Sequence, residues 1–400
     1  MTENINLMLD RCSTKNMNEV KKLLLIGGTG FIGRAVAEKY LNNGWQLIIT
    51  TKSLSIKDAK NKLILHGFDT VQLEKFIANK SLLFITGADL SNKRWLEINT
   101  WLNVFKEINL SPISISRIIN LAAEISGPAD KIIRSSMEIL SSVLTIARNL
   151  KSQNKNIVFC NMGSTAERRR GKNLPPYEFV KKIIRQKIEE SRLCDYHFVV
   201  NYVKGKGEQR MTIAAPFLWE KLKWSYRWLF GFKISIIDVD DLADIVYEIL
   251  EIIKIPSEIK NKKLLLEVNT TSGELPFGEM IKNLLPRNQR IIPEAVIPFW
   301  LEKYFLKTYA FIVPLIKSKN QTMRRLAHFA KIASLGKSDQ DRLKSFKTAE
   351  EIKKLALDKA NYITLEKKPT LIIIDNYNPV IYALREKTED QLKQIVQKSI

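Results

Sequence analysis

A doubly wound α/β fold, a parallel sheet of the Rossmann type covered by helices on both faces, is the class this sequence predicts, joined to a smaller discontinuous α+β lobe. Three observations predict it. Short apolar runs of strand length recur along the first half of the chain, stretches of helical spacing separate them, and a glycine turn, GGTGFIG, joins the first run to the first helix. Strands that alternate with helices pair in parallel, because each crossover returns the chain to the same sheet.

The elements follow in order. KKLLLI, residues 21–26, reads as the first strand, and residues 34–41 turn helical with Ala35, Val36 and Leu41 as apolar points. Asn42-Asn43-Gly44 then turns the chain into a second apolar run at 45–50, which completes a βαβ unit. Buried strands are expected at 82–86, 118–121, 157–160 and 198–202, and the clearest helices at 135–150 and 179–192. Strand and helix resume at 234–252; beyond them come a strand at 264–269, a helix at 278–285, an aromatic stretch at 296–317 and an apolar run at 370–374. The division this predicts is a polar leader (1–20), a dinucleotide-binding domain (21–203 plus 234–256), a substrate lobe (204–233 plus 257–320) and a C-terminal extension of no assigned role (321–400).

Composition bounds the function. At roughly 150 residues per domain, 400 residues fit two lobes. With 45% apolar and 26% charged residues, disordered and fibrous classes are excluded. Cys12, Cys160 and Cys194 are too widely spaced for a disulfide framework or a metal-ligand pair, and three histidines (His66, His197, His328) do not suggest a metal site. Residues 1–20 lack the basic start and apolar run of a signal peptide, and no run of 18 apolar residues occurs, so a cytoplasmic chain without a spanning helix is expected.

The charge is less ordinary. Lys and Arg number 64 against 42 Asp and Glu, a net +22, and the excess is concentrated at 161–233 (net +9) and 301–350 (net +7). Such a surplus can steer phosphorylated ligands or anionic lipid, or it can be a solvated Lys-rich surface. Nucleic acid is not expected as a partner, because no recognised binding motif accompanies the charge. Nothing in the sequence fixes an oligomeric state.

Gly27-x-x-Gly30-x-x-Gly33 sits where a strand ends and a helix begins. The first glycine permits a tight turn, the second lets backbone N–H groups approach a pyrophosphate, and the third lets helix and strand pack closely. Four further features follow: Ala88-Asp89-Leu90, Asn120-Leu121-Ala122-Ala123, Tyr177-x-x-x-Lys181, and Ile237-Asp238-Val239-Asp240-Asp241-Leu242-Ala243. In this order, over about residues 21–290, they resemble the extended, sugar-nucleotide epimerase/dehydratase-like branch of the short-chain dehydrogenase/reductase superfamily. The resemblance implies a nicotinamide cofactor held by Gly27, Thr29, Gly30, Phe31, Ile32 and Gly33, with Asp89 and Leu90 near the adenine and Leu121, Ala122 and Ala123 against the ribose.

It also implies that Tyr177 and Lys181 are catalytic and contact the cofactor. Positions i and i+4 share a helix face. A phenol of pKa ~10 is a poor base, and a neighbouring ammonium favours the phenolate, so Tyr177 could exchange the hydroxyl proton while a hydride moves. The superfamily's hydroxyl residue after the fifth strand is Ser164, or is replaced by Asn161 as a donor. At the end of the second strand stand Thr51, Lys52 and Ser53 in place of the Asp that holds the ribose of NAD, which favours NADP over NAD.

Arg168-Arg169-Arg170 precedes Tyr177 and reads either as a clamp for a substrate phosphate or as a solvated charge run. The segments 216–233 and 296–319 interleave Trp, Phe and Tyr with Lys and Arg, as an interfacial helix does at an anionic membrane surface, and also as a lobe core does. The expected function is hydride transfer by an NAD(P)-dependent oxidoreductase or epimerase/dehydratase. Its substrate would be a small hydroxyl or keto compound carrying a phosphate or a lipid. The alternative is a protein that binds the nucleotide without turnover.

Overall fold

The computed structural model describes residues 20–124, 129–168, 176–209, 233–252, 265–270, 273–276, 308 and 371–375. Its first strand, β1 (Lys22–Ile26), buries four of its five residues, as a central strand covered on both faces must. Alternate residues face opposite sides. Leu23 and Leu25 join one core with Val36, Tyr40, Leu47 and Phe198, and Leu24 and Ile26 join another with Ile48, Trp101, Val143 and Phe159. Each fully buried side chain of this size contributes about 1.5–3 kcal/mol.

After β1 come α1 (Phe31–Asn42), β2 (Gln46–Thr50), α2 (Ile56–Leu65), α3 (Thr70–Ala78), β3 (Leu82–Ile85), α4 (Ile98–Glu107) and β4 (Ile115–Asn120). Then follow α5 (Ala129–Gln153), β5 (Val158–Met162), α6 (Pro176–Ser191) and β6 (Tyr196–Val200). Helices α2 and α3 were not anticipated from periodicity. Ser55 and Asp69 announce them, each accepting a bond from the backbone N–H three residues on, at Asp58 and Gln72.

The remaining strands are β7 (Tyr202–Lys204), β8 (Lys233–Asp238), β9 (Leu265–Thr270), β10 (Gly273–Pro276) and β11 (Leu371–Asp375), with α7 (Val239–Tyr247) after β8. Eight strands form one parallel sheet in the order β11-β9-β6-β5-β4-β1-β2-β3. The strand order reverses between β1 and β4, the point where ligands bind in open α/β sheets.

Three boundaries differ from the expected ones. The sixth strand stops at Val200, and Tyr202–Lys204 instead pairs with β8 in a separate sheet of order β10-β8-β7. Strand β8, expected in the dinucleotide-binding domain, lies in that smaller sheet. Strand β9, expected in the substrate lobe, pairs with β6 in the main sheet, and β11 from the extension pairs with β9. Pairing partners are chosen by long-range hydrogen bonding, which local periodicity does not carry. The helix expected at 278–285 and both aromatic-cationic segments lie outside the described residues, apart from β8's first residue and Thr308.

Candidate functional site

The glycine turn forms a cradle at the strand-order reversal. Gly27 has φ +77°, and a Cβ there would come within 2.9 Å of the Ala122 nitrogen after β4. Its N–H donates to Thr50 Oγ1 at 3.1 Å. At Gly33 a Cβ would meet the Gly28 carbonyl oxygen at 2.5 Å, so α1 packs directly on the turn. Gly30 caps α1 without a side-chain hydrogen bond, and a Cβ there would meet Gly27 O at 3.5 Å. The first N–H groups of α1 therefore keep the donors that an anion needs. This cradle fits a dinucleotide pyrophosphate. Thr29 is buried, and Phe31 and Ile32 are half-buried against the core.

The residues after β2 are placed unequally. Thr51 and Ser53 are 3% and 6% exposed, and their hydroxyls form a chain, Thr29 to Thr51 at 3.1 Å and Thr51 to Ser53 at 3.2 Å. Lys52 is half exposed and pairs with Asp89 at 3.1 Å and Glu124 at 3.7 Å. Burial alone would raise the Asp89 carboxyl, but hydrogen bonds from Ser91 and Lys52 outweigh it and hold the group below its ordinary value. Leu90 is buried in the core, and its carbonyl accepts from Ser142 of α5. Leu121, Ala122 and Ala123 are half-buried at the end of β4, where Leu121 N–H donates to Ile26 O at 2.9 Å.

Tyr177 and Lys181 share one face of α6. The Lys181 ammonium lies 5.8 Å from the centre of the Tyr177 ring, and the residue is 6% exposed. Its Nζ donates to the Met162 carbonyl at 3.5 Å, which ties α6 to the end of β5. Ser164 opens the 3₁₀ turn Thr165–Arg168, and its Oγ accepts the Ala166 N–H at 3.3 Å. Asn161 is 1% exposed, with its side-chain amide bonded to Asn120 and His197. Arg169, Arg170 and the side chain of Arg168 lie outside the described residues.

No family model and no curated protein matches the chain. Solved structures do. The terminal R domain from the myxalamid PKS-NRPS biosynthetic pathway aligns with TM-score 0.55 at 11% identity, over 96% of this chain and 91% of that one. At this identity the likeness shows the fold alone, a parallel sheet with helices on both faces of the Rossmann type. Also similar are the Bordetella bronchiseptica enzyme WbmH in complex with NAD+ (TM-score 0.48, 14% identity, 70% and 85% covered) and a Stenotrophomonas maltophila UDP-glucose-4-epimerase with bound NAD (TM-score 0.47, 16% identity, 70% and 86% covered).

Within this fold, the Val239-Asp240-Asp241 segment is a fastening. Asp238 accepts the Asp240 N–H at the start of α7. Asp240 in turn takes Arg34 of α1 at 3.2 Å, and the buried guanidinium also donates to Glu38 and to the Lys206 carbonyl. Sequence reasoning passed over Glu167 and His197, both buried directly behind the candidate site. Their signal was faint, a histidine inside an otherwise apolar strand and a glutamate in the turn after β5. Burial pushes the Cys160 and Cys194 thiols well up, so neither is a thiolate nucleophile. Among the described residues no cluster could hold a metal ion.

Proposed function

We propose that the chain is an NAD(P)-dependent oxidoreductase, or an epimerase/dehydratase whose cycle opens with hydride transfer, acting on a hydroxyl or keto substrate. One observation carries this reading: the buried Lys181 ammonium stands 5.8 Å from the Tyr177 ring on the helix that follows β5. The nicotinamide supplies the hydride acceptor or donor when bound. The N–H groups that open α1 would hold its pyrophosphate. Tyr177 Oη takes or gives the substrate's hydroxyl proton, and Lys181 stabilises negative charge developing on that oxygen. Ser164 Oγ already accepts from Ala166, and its O–H can donate to the substrate oxygen.

Lys52 supports NADP. With the Thr51 and Ser53 hydroxyls buried in a chain of their own, the preference rests on this one half-exposed cation and on the missing carboxylate at Thr51. Arg168-Arg169-Arg170, between β5 and α6, supports an anionic substrate.

Fluorescence titration with NADPH and NADH, joined to a turnover screen against sugar nucleotides and other hydroxyl or keto metabolites, tests the reading. NADPH should bind more tightly than NADH, with Lys52→Ala weakening NADPH alone. Tyr177→Phe should lower turnover at least 100-fold and keep cofactor affinity. Turnover that survives in Tyr177→Phe refutes the catalytic assignment. Cofactor binding without turnover of any substrate would favour the non-catalytic alternative.

A further inference from the structure

A buried polar row runs beneath the candidate site. Asn120 of β4, Asn161 of β5 and His197 of β6 are register partners across three adjacent strands. They are 4%, 1% and 0% exposed. Asn120 Nδ2 donates to Asn161 Oδ1 at 2.8 Å, and Asn161 Nδ2 meets His197 Nδ1 at 3.2 Å. His197 Nε2 lies 2.9 and 3.1 Å from the two carboxylate oxygens of Glu167. Both ends reach loops of the site. The Ala122 N–H donates to Asn120 Oδ1 at 3.1 Å, and the Ser164 N–H to Glu167 Oε2 at 3.2 Å.

The direction of every bond in this row follows from one end. A backbone N–H can only donate, so the atom of Asn120 facing Ala122 is its oxygen, and its NH₂ faces Asn161. Asn161 therefore presents oxygen to Asn120 and NH₂ to His197. Nδ1 of His197 must accept, which places the ring proton on Nε2, where it donates to Glu167. Arg185 of α6 also donates to Glu167, at 3.3 Å, so α6 shares the same carboxylate. Gly163 leaves no slack, since a Cβ there would come within 2.4 Å of His197 Nε2 and 2.6 Å of Glu167 Oε2.

We propose that His197 is a positioning residue: as a neutral Nε2–H imidazole it couples the loop after β4, which carries Ala122, to the loop after β5, which carries Ser164. The consequence for the reaction rests on the dinucleotide reading above, because it is that reading which places the cofactor against Ala122 and the substrate oxygen against Ser164. A polar row with every member paired is rigid, and losing a member leaves a buried group unpaired. The row thus sets the spacing between the cofactor side and the substrate side of one site.

The test uses the full chain labelled with ¹⁵N, in which three histidines simplify the ring spectrum. In the wild type, His197 should show one protonated nitrogen, Nε2, and one bare nitrogen, Nδ1; an Nδ1–H ring overturns the proposal without any variant. Asn161→Asp should convert the ring to an imidazolium, since two carboxylates would then face its two nitrogens. A ring that merely fills space would not change. His197→Gln keeps a donor for Glu167 and loses the acceptor for Asn161. Amide exchange should then quicken about tenfold at Ala122, the effect of one lost hydrogen bond, and stay slow at Ser164. NADPH affinity should fall several-fold. Unchanged exchange at Ala122 in folded His197→Gln, or quickened exchange with unchanged cofactor affinity, overturns the coupling. A wild type that binds neither NADPH nor NADH, yet shows the expected ring and exchange behaviour, would refute the dinucleotide reading while the coupling stands.

Discussion

Gly33 shows how little room one residue has in this site. Its missing Cβ is the contact surface between α1 and the turn, with Gly28 O, C and Cα all within 2.6 Å of where that carbon would stand. Backbone cannot rotate away as a side chain can, so Gly33→Ala must push the helix off the sheet. Overpacking of this kind costs about 1–3 kcal/mol, and the displaced α1 should lose its grip on the cofactor. Gly44 is the control. It has φ +77° and nothing within 4 Å of its Cβ position, so Gly44→Ala should cost roughly 1–2 kcal/mol of backbone strain and leave cofactor affinity intact. Urea unfolding curves with cofactor titrations would separate the two. Equal cofactor affinity in Gly33→Ala and wild type would show that the close packing is not needed for binding.

Buried charge, too, ties elements together here. Arg34 projects from α1 with its side chain 3% exposed and reaches Asp240 of α7, Glu38 of its own helix and the carbonyl of Lys206 after β7. It therefore fastens α1 to the start of α7 and to the loop that leaves the smaller sheet. Arg34→Met keeps most of the apolar stem and removes every one of these bonds. The expected loss is about 1.5–3 kcal/mol, the range for hydrogen bonds to a charged group. Asp240 is two-thirds exposed, so Asp240→Asn should cost far less, because water screens an exposed partner. Denaturation midpoints that fall equally for both variants would contradict this ordering.

For the whole molecule the dominant quantity is a net charge of +22. Among the described residues no helix is long and apolar enough to cross a membrane; the aromatic-cationic composition of 216–233 and 296–319 fits either attachment to an anionic surface or the core of a lobe, and vesicle binding separates the two. Each Lys or Arg near such a surface adds ~1 kcal/mol, and the attraction is screened over about 8–10 Å at moderate salt. The chain should sediment with vesicles rich in anionic lipid at low salt, release at high salt, and ignore neutral vesicles. Replacing Trp224 and Trp228 by Ser should weaken the attachment. Absence of sedimentation at low salt would assign these aromatics to the interior of the lobe.

What the sequence determined by itself was local. Strand, turn, helix and strand over residues 21–50 followed from apolar runs and three glycines, because a turn that needs φ +77° and a contact that admits no Cβ leave a direct mark on residue type. Tyr177 and Lys181 were singled out by the resemblance to a known family, and the helical repeat places i and i+4 together wherever the helix lies. Tertiary structure decided the rest. Asn161 looked like a donor for substrate, and pairing of β4, β5 and β6 placed it inside a row with Asn120 and His197. Thr51 and Ser53 looked like ligands for a phosphate, and close approach of the glycine turn buried both hydroxyls. Residues 371–375 carried no role until they were found beside β9, more than a hundred residues earlier in the chain. Register and strand order are set by hydrogen bonds between segments far apart in sequence, and a single strand's pattern states which of its faces are buried but not which neighbour it meets.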